Sequence, residues 1–441
     1  MDKKYIDIIG AGISGFATAY FLNEYSDHVK IRVWEKCSQV GGLAGTFKIG
    51  HTQIEKFYHH VYRKDLALQD LIKKLGLGDD VVWKEAPLGA YFLNQSFRLS
   101  TASDILRFAP LNIIDRLRFM YLMLAARFVK NWGDIDNISA KNFIIKYAGE
   151  NVYKVMWQPL LYGKFGCYAE KISAAWLWCK LIDRGSRRLG SSEQLGYLRG
   201  GLGKVFNEIM GQLQSNGNEV HLNSPIQGFD VNNDNIITKI NTGRGTFKTD
   251  CVICCSQTPE FSLILPQRFS KYKQRLNAIE FLSNVCLVLV LNERLSEFYW
   301  NNIMIENYPF IGIIEHTNWT GVQELEGKHL VYLSAYTTNN DKRLSMTSVE
   351  LCKHYMPYIQ KIFPRFNYSK IEQSYIWSAP YAQPIVKTGY RKLRPPVETP
   401  IGNLFLCTMA QIYPQDRQIS NGIDMAKKLS KIVADRLQLT T

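Results

Sequence analysis

The sequence predicts an α/β protein in which a layered strand-and-helix domain is interrupted twice by a mixed α+β domain. Three observations predict it. Tyr5-Ile6-Asp7-Ile8-Ile9 is a β-branched strand that runs at once into Gly10-Ala11-Gly12-Ile13-Ser14-Gly15 and then into the apolar stretch 16–22. A second strand, 29–34, ends in an acid, Glu35. Glycine-flanked segments of similar character recur far along the chain, near 197–206 and 402–422. A sheet assembled from both ends and the middle of a chain leaves the stretches between as insertions.

The 441 residues exceed one ordinary core, and about 150 residues per domain suggests two or three. The charge of +14 points to a phosphate-bearing ligand, an anionic membrane surface or solubility alone. Nucleic acid is disfavoured, because the cations are scattered and no basic recognition helix or aromatic RNA-binding motif occurs. Nine cysteines do not form a disulfide framework,. Cys251, Cys254 and Cys255 sit in an apolar run that reads as a buried strand, with no second ligand pair at zinc spacing, so no metal site is expected,. Met1-Asp2-Lys3-Lys4 passes straight into a strand, so no secretory leader is expected,. The apolar runs 119–126 and 285–291 are far short of the ~20 residues of a membrane span,. The expected location is the cytoplasm or its membrane face.

Each residue of the first motif has a physical task. Gly10 permits the tight strand-to-helix turn, Gly12 lets backbone approach a pyrophosphate, and Gly15 lets helix pack on strand. The helix N-terminus offers free N–H groups to an anion. Glu35, twenty residues after Gly15, can accept hydrogen bonds from ribose hydroxyls. The pattern is a Rossmann-like dinucleotide fingerprint. A second glycine cluster follows in Val40-Gly41-Gly42-Leu43-Ala44-Gly45-Thr46. A nicotinamide dehydrogenase needs no such segment, whereas an FAD laid across the domain can use bare backbone there.

Glu35 followed by V-G-G-L-A-G-T resembles the FAD-dependent amine-oxidase superfamily, which includes protoporphyrinogen oxidase, with a partial resemblance to UDP-galactopyranose mutase. Tyr197-Leu198-Arg199-Gly200-Gly201-Leu202-Gly203 is similar to that superfamily's glycine pair before a helix, and Gly402–Cys407 to its final strand. The resemblance implies an FAD-binding domain of glutathione-reductase type over 1–65, 198–265 and 398–441. The substrate domain would be 66–197 and 266–397. It implies cofactor contacts at Gly10, Gly12, Ile13, Ser14 and Gly15. Glu35 and Lys36, then Gly41, Gly42, Leu43 and Ala44, continue the set. Ile226 would meet the adenine through its backbone. The last helix, opening near Ile419, would aim its N-terminus at the flavin pyrimidine. After the final strand the Gly-Asp of amine oxidases is replaced by Thr408-Met409-Ala410-Gln411, which is more like the mutase. Asp416 then takes the place of the missing acid near the ribityl phosphate, and Arg417 faces flavin or substrate.

Within the first insertion, 102–132, 140–147 and 174–187 read as helices. The second alternates strands and loops at 284–291, 310–316 and 329–336. Glu55-Lys56-Phe57-Tyr58-His59-His60-Val61-Tyr62 is the densest polar-aromatic cluster, and His60 is preferred over His59 as a proton shuttle near neutral pH,; a structural histidine is the alternative. The stretch 157–166, with Lys164 between two glycines, reads as a ligand loop or a core turn. Arg184, Arg187 and Arg188 suit an anion or a solvated helix end. Trp377 or Tyr381 would form a substrate wall or core packing. From 113 to 130, Ile113, Leu117, Met120, Tyr121, Leu124 and Phe128 share a stripe flanked by Arg116, Arg118, Arg127 and Lys130. That pattern suits a helix lying in a membrane interface or one packed on a core.

The expected catalytic residues are His60, Arg417 and Trp377. The expected activity is FAD-dependent hydride transfer between a small organic substrate and flavin N5. The alternatives are a mutase-like flavoenzyme acting on a nucleotide-linked sugar without net redox change, and a non-catalytic FAD-binding protein.

Overall fold

The computed structural model describes residues 3–439 apart from 186–192. Six helices matter for the site: α1 (Ile13–Leu22), α2 (Ile113–Arg127), α3 (Gln158–Phe165), α4 (Ala174–Gly185), α5 (Gly203–Ser215) and α6 (Ile419–Leu437). Five parallel strands form one sheet, in the order Glu219–His221, Val29–Trp34, Lys4–Ile9, Cys251–Cys254 and Leu404–Leu406. A parallel sheet is covered on both faces, which is why Cys251–Cys254 is apolar and buried throughout,. On one face α1, α5 and α6 share a core with the sheet. On the other, the antiparallel strands Ile226–Val231, Ile237–Thr242 and Gly245–Lys248 cover Trp34, Val252 and Leu404.

One charged pair sits inside this sheet. Asp7 on the central strand accepts hydrogen bonds from Arg32 Nε at 2.8 Å and Nη2 at 2.7 Å, and from Trp34 Nε1 at 2.7 Å. Arg32 and Trp34 both lie on the adjacent strand, so the network ties the two strands through side chains as well as backbone.

Seven strands form a second sheet: Ile371–Pro384, Phe281–Leu291, His329–Thr337, Gly312–Glu315, Trp300–Ile303, Leu88–Phe92 and Gln95–Arg98. The last two come from the first insertion, which the sequence presents as helical. Gly89 explains the close fit, since a Cβ there would lie 2.6 Å from Asn301 Oδ1 and 2.7 Å from the Phe298 ring. Two further corrections concern helices. The stretch 102–132 divides around Pro110 into Ala102–Leu106 and α2, with Asn112 Oδ1 capping α2 through the Asp115 N–H at 2.9 Å,. The stretch 157–166 is no loop: a π-helical turn, Tyr153–Trp157, leads into α3, whose first turn carries Pro159,. Phe119, Leu122 and Ala126 of α2 face the core, and Ala125 beside them is buried. The stripe singled out in the sequence lies on the opposite side of that helix, facing outward except for half-buried Met120.

Candidate functional site

The three fingerprint glycines are needed for three different reasons. Gly10 has φ +98°, a conformation that favours glycine. A Cβ on Gly15 would stand 1.9 Å from the Gly10 carbonyl oxygen, so α1 meets the turn only through glycine. Gly12 has an ordinary φ of −76°, and a Cβ there would meet nothing within 4 Å. The fold itself tolerates a side chain at Gly12; the space beside it is open. No side chain caps α1, and its first turn holds no acid, so the amides of Ile13 and Ser14 and the helix dipole face that space.

The second glycine loop lies against the first. Gly41 N–H donates to the Ala11 carbonyl at 2.8 Å, and a Cβ on Gly42 would approach Gly12 Cα to 3.4 Å. Ala44 is buried behind it. Glu35 closes the group: Oε2 accepts from Ala11 N–H at 2.8 Å and Oε1 from Cys37 N–H at 2.9 Å. Its carbonyl accepts from Ser224 N–H at 2.8 Å, which brings Ile226 to within two residues of it. Each carboxylate oxygen keeps a lone pair for a hydroxyl donor. Lys36 points to Glu260, with which it forms an ion pair.

A cavity of about 750 Å³ extends from Leu43 and Ile419 to the second sheet and to α2, α3 and α4. No side chain caps α6, and its first residues, Gln418 and Ile419, line the cavity. Asp416 and Arg417 line it too, in a cluster of four charges. Asp416 pairs with Lys180, stands 3.7 Å from Lys164 Nζ and accepts from Trp176 Nε1 at 3.4 Å. Burial pushes its carboxyl up, but Lys164, Lys180 and Arg417 outweigh that and hold it well below the usual carboxylate range. The expected place near a ribityl phosphate is thus modified: this acid is already engaged by two ammonium groups. Burial lowers Lys164 to about 7 against the opposing pull of Asp416. Arg417 donates Nε to Gln383 Oε1 at 2.9 Å and Nη2 to Tyr336 OH at 2.5 Å.

One part of the remaining wall is aromatic and aliphatic, with Phe119 from α2, Trp157 before α3, Leu160 and Leu161 from α3, and Tyr299 with Trp300; another is charged, with Arg63, Lys64, Asp65, Glu85, Asp183 and Glu193. His60 lies here, its Nδ1 3.1 Å from Tyr299 OH and its ring edge-on to Tyr62, Trp300 and Trp319. Burial, reinforced by His59, Lys180 and His316, lowers His60 to about 3. His59, bonded to the Phe57 carbonyl at 2.6 Å, is lowered by burial to about 4. Both rings are therefore neutral near pH 7. The surroundings of His60 thus favour a neutral hydrogen-bonding imidazole, while burial brings Lys164 to titrate near neutral pH.

Trp377 is not part of the cavity wall. Its ring packs against Phe47 at 5.0 Å, and Lys56 Nζ stands 4.7 Å above it. Tyr381 packs edge-on to Phe281 in a left-handed conformation, φ +55°, at the register shift between Leu282 and Asn284. That bulge turns Ala382 into the cavity instead and brings Gln383 to Arg417,. Arg187, Arg188 and the Arg184 side chain lie outside the described residues. The sequence reading missed Lys180 and Tyr336. Their signal is weak, because each becomes polar lining only through the position of Asp416 and Arg417, more than eighty residues from Tyr336 and farther from Lys180.

With this geometry in place, the chain belongs to the flavin-containing amine oxidoreductase family, whose pattern matches residues 13–415. FAD is its cofactor. Over 180 residues it is 24% identical to coproporphyrinogen III oxidase of Staphylococcus aureus, a match covering 38% of each chain. Its fold is similar to that of an Exiguobacterium protein assigned to the protoporphyrinogen oxidases, with TM-score 0.78, 16% identity and coverage of 99% of this chain and 100% of that one. Reduced UDP-galactopyranose mutase has a similar fold, with TM-score 0.72, 13% identity and coverage of 100% and 97%. The residues present fit FAD: an open side at Gly12, two uncapped helix N-termini, an acid with spare acceptors, and a cavity that begins at Leu43 and Ile419.

Proposed function

We propose that this protein is an FAD-dependent oxidoreductase acting on a small organic molecule with an apolar body and an anionic group. The open space at Gly12, between ordinary backbone and an uncapped helix, is the observation that carries the reading. In it, residues 1–65, 198–265 and 398–441 form a domain of glutathione-reductase type, and 66–197 with 266–397 form the substrate domain. Gly10, Gly12, Ile13, Ser14 and Gly15 receive the pyrophosphate, and Glu35 takes the ribose with Lys36 beside it. Gly41, Gly42, Leu43 and Ala44 let the cofactor pass close to backbone, Ile226 meets the adenine, and Ile419 opens the helix facing the pyrimidine. Bound FAD supplies two-electron chemistry by exchanging hydride at N5.

The chain's own residues supply recognition. Lys164, Lys180 and Arg417 gather around the one carboxylate of Asp416, so this corner offers positive charge to an anion, while Asp65, Glu85, Asp183 and Glu193 also line the cavity,. Asp416 holds the two lysines in place, and Gln383 and Tyr336 orient Arg417. Phe119, Trp157, Leu160 and Leu161 exclude water and receive the apolar body. His60 stays neutral and offers its imidazole to substrate or to Tyr299.

The test begins with Gly12→Val. The purified parent is expected to be yellow and to release one flavin per chain on denaturation, and the variant to keep its far-ultraviolet circular dichroism but retain no flavin. A variant that keeps its flavin overturns the reading. Bleaching of the parent by one substrate class under anaerobic conditions, with oxygen consumed on readmission of air, then identifies the reaction. The cation cluster also suits the diphosphate of a nucleotide-linked sugar. That second reading expects turnover only after dithionite reduction and without oxygen uptake.

A further inference from the structure

We infer that the outer face of α2 docks on an anionic phospholipid bilayer. Ile113 is 60% exposed, Leu117 56%, Tyr121 56%, Leu124 51% and Phe128 79%. Ile114 extends the same face. Large apolar side chains scattered singly over a surface are ordinary, but a contiguous row along four helical turns is not. The row is no substitute for core packing, because α2 already buries Phe119, Leu122, Ala125 and Ala126 on its opposite side. The helix thus carries two apolar faces, and among the described residues the outer one is left exposed.

Charge selects the occupant. Between 106 and 130 the cations are Arg107, Arg116, Arg118, Arg127 and Lys130, and the only acid is Asp115. Asp115 is buried and engaged by Asn151 Nδ2 at 2.6 Å and by Arg118 at 3.6 Å, so within this stretch no exposed acid offsets the cations; exposed Glu150 lies on the neighbouring helix. A second copy of this chain would oppose these cations with the same cations. A bilayer bearing anionic headgroups offers the complementary sign together with an acyl boundary for the apolar row, and its lateral fluidity requires no matching shape. The inner face of the same helix places Phe119 in the cavity wall. Docking therefore sets the cavity one helix diameter from the lipid. This surface stands independently of the redox reading, since vesicle binding is read without turnover.

The experiment is co-sedimentation of the full chain with FAD bound, using vesicles of phosphatidylcholine alone and of phosphatidylcholine mixed equally with phosphatidylglycerol. Binding is expected to the mixed vesicles and to weaken with added salt. Arg107→Gln and Lys130→Gln are each expected to weaken it about fivefold. Leu124→Ser with Phe128→Ser is expected to weaken it at least about tenfold, with flavin content unchanged as proof of folding. Three results overturn the inference: no vesicle binding, equal binding to neutral vesicles, or variants that bind as the parent does. A concentration-dependent dimer lost in Phe128→Ser would likewise overturn it, by assigning the face to a second copy.

Discussion

Gly12 and Gly15 are three residues apart and fail in opposite ways. Gly15→Ala places a Cβ against the Gly10 carbonyl oxygen at a separation no real contact reaches. It is expected to destabilise the chain by at least about 1–3 kcal/mol, seen as a lowered unfolding midpoint with or without cofactor. Gly12→Val is expected to cost the apo fold little, since a Cβ there meets nothing within 4 Å, and to remove flavin. Glu55 shows how burial writes a pH dependence into one side chain. It lies at the end of the strand Thr52–Glu55, accepts from Leu202 N–H at 2.8 Å before α5, and is raised by burial to about 7. The unfolded carboxyl ionises near its model value of 4.5. Between those values the folded chain holds the extra proton, so stability declines as pH rises through that window. In Glu55→Gln this decline is absent. Its stability relative to the parent should rise by up to about 3 kcal/mol from pH 5 to pH 8, as urea titrations at each pH would show. Lys164, lowered to about 7, works in the opposite sense on binding: it is charged below that value and neutral above it. Turnover of an anionic substrate should fall as pH rises through about 7, and Lys164→Met should abolish that limb of the kcat/KM profile.

Elements near the N-terminus were the most legible, because strand, glycine turn, helix and acid follow one another within a short stretch. The segments 197–206, 219–231 and 404–437 were legible for the same local reasons. Legibility failed where pairing is remote. Leu88–Phe92 joins the second sheet only because Trp300–Ile303 lies parallel to it, more than two hundred residues later. The aromatic-rich run around Trp157 carries glycines that read as loop, yet tertiary packing holds it helical. Trp377 was placed by its proximity to the final strand, but the bulge at Tyr381 assigns the cavity wall to Ala382. The stripe on α2 was read correctly as a stripe; which side it faces depends on what the core already contains. Within the parallel sheet, the Asp7–Arg32 pair offers a test at this scale. Asp7→Ala leaves a buried guanidinium without its carboxylate and should cost about 3–5 kcal/mol, measurable by equilibrium denaturation.

The whole molecule is organised around a cavity that neither sheet encloses alone. Arg417, just before α6, reaches Gln383 and Tyr336 on the second sheet, while Asp416 reaches Lys164 on α3 and Lys180 on α4. A bound dinucleotide favours the folded state by mass action, so added FAD should raise the thermal midpoint in proportion to the logarithm of its concentration. The order of the parallel sheet has a consequence for biosynthesis. Its edge strand, Leu404–Leu406, and the helix that follows are synthesised nearly four hundred residues after the N-terminal glycine turn. The glycine turn therefore emerges long before the strand that completes the parallel sheet, and flavin loading is expected only after that strand and its helix have joined it.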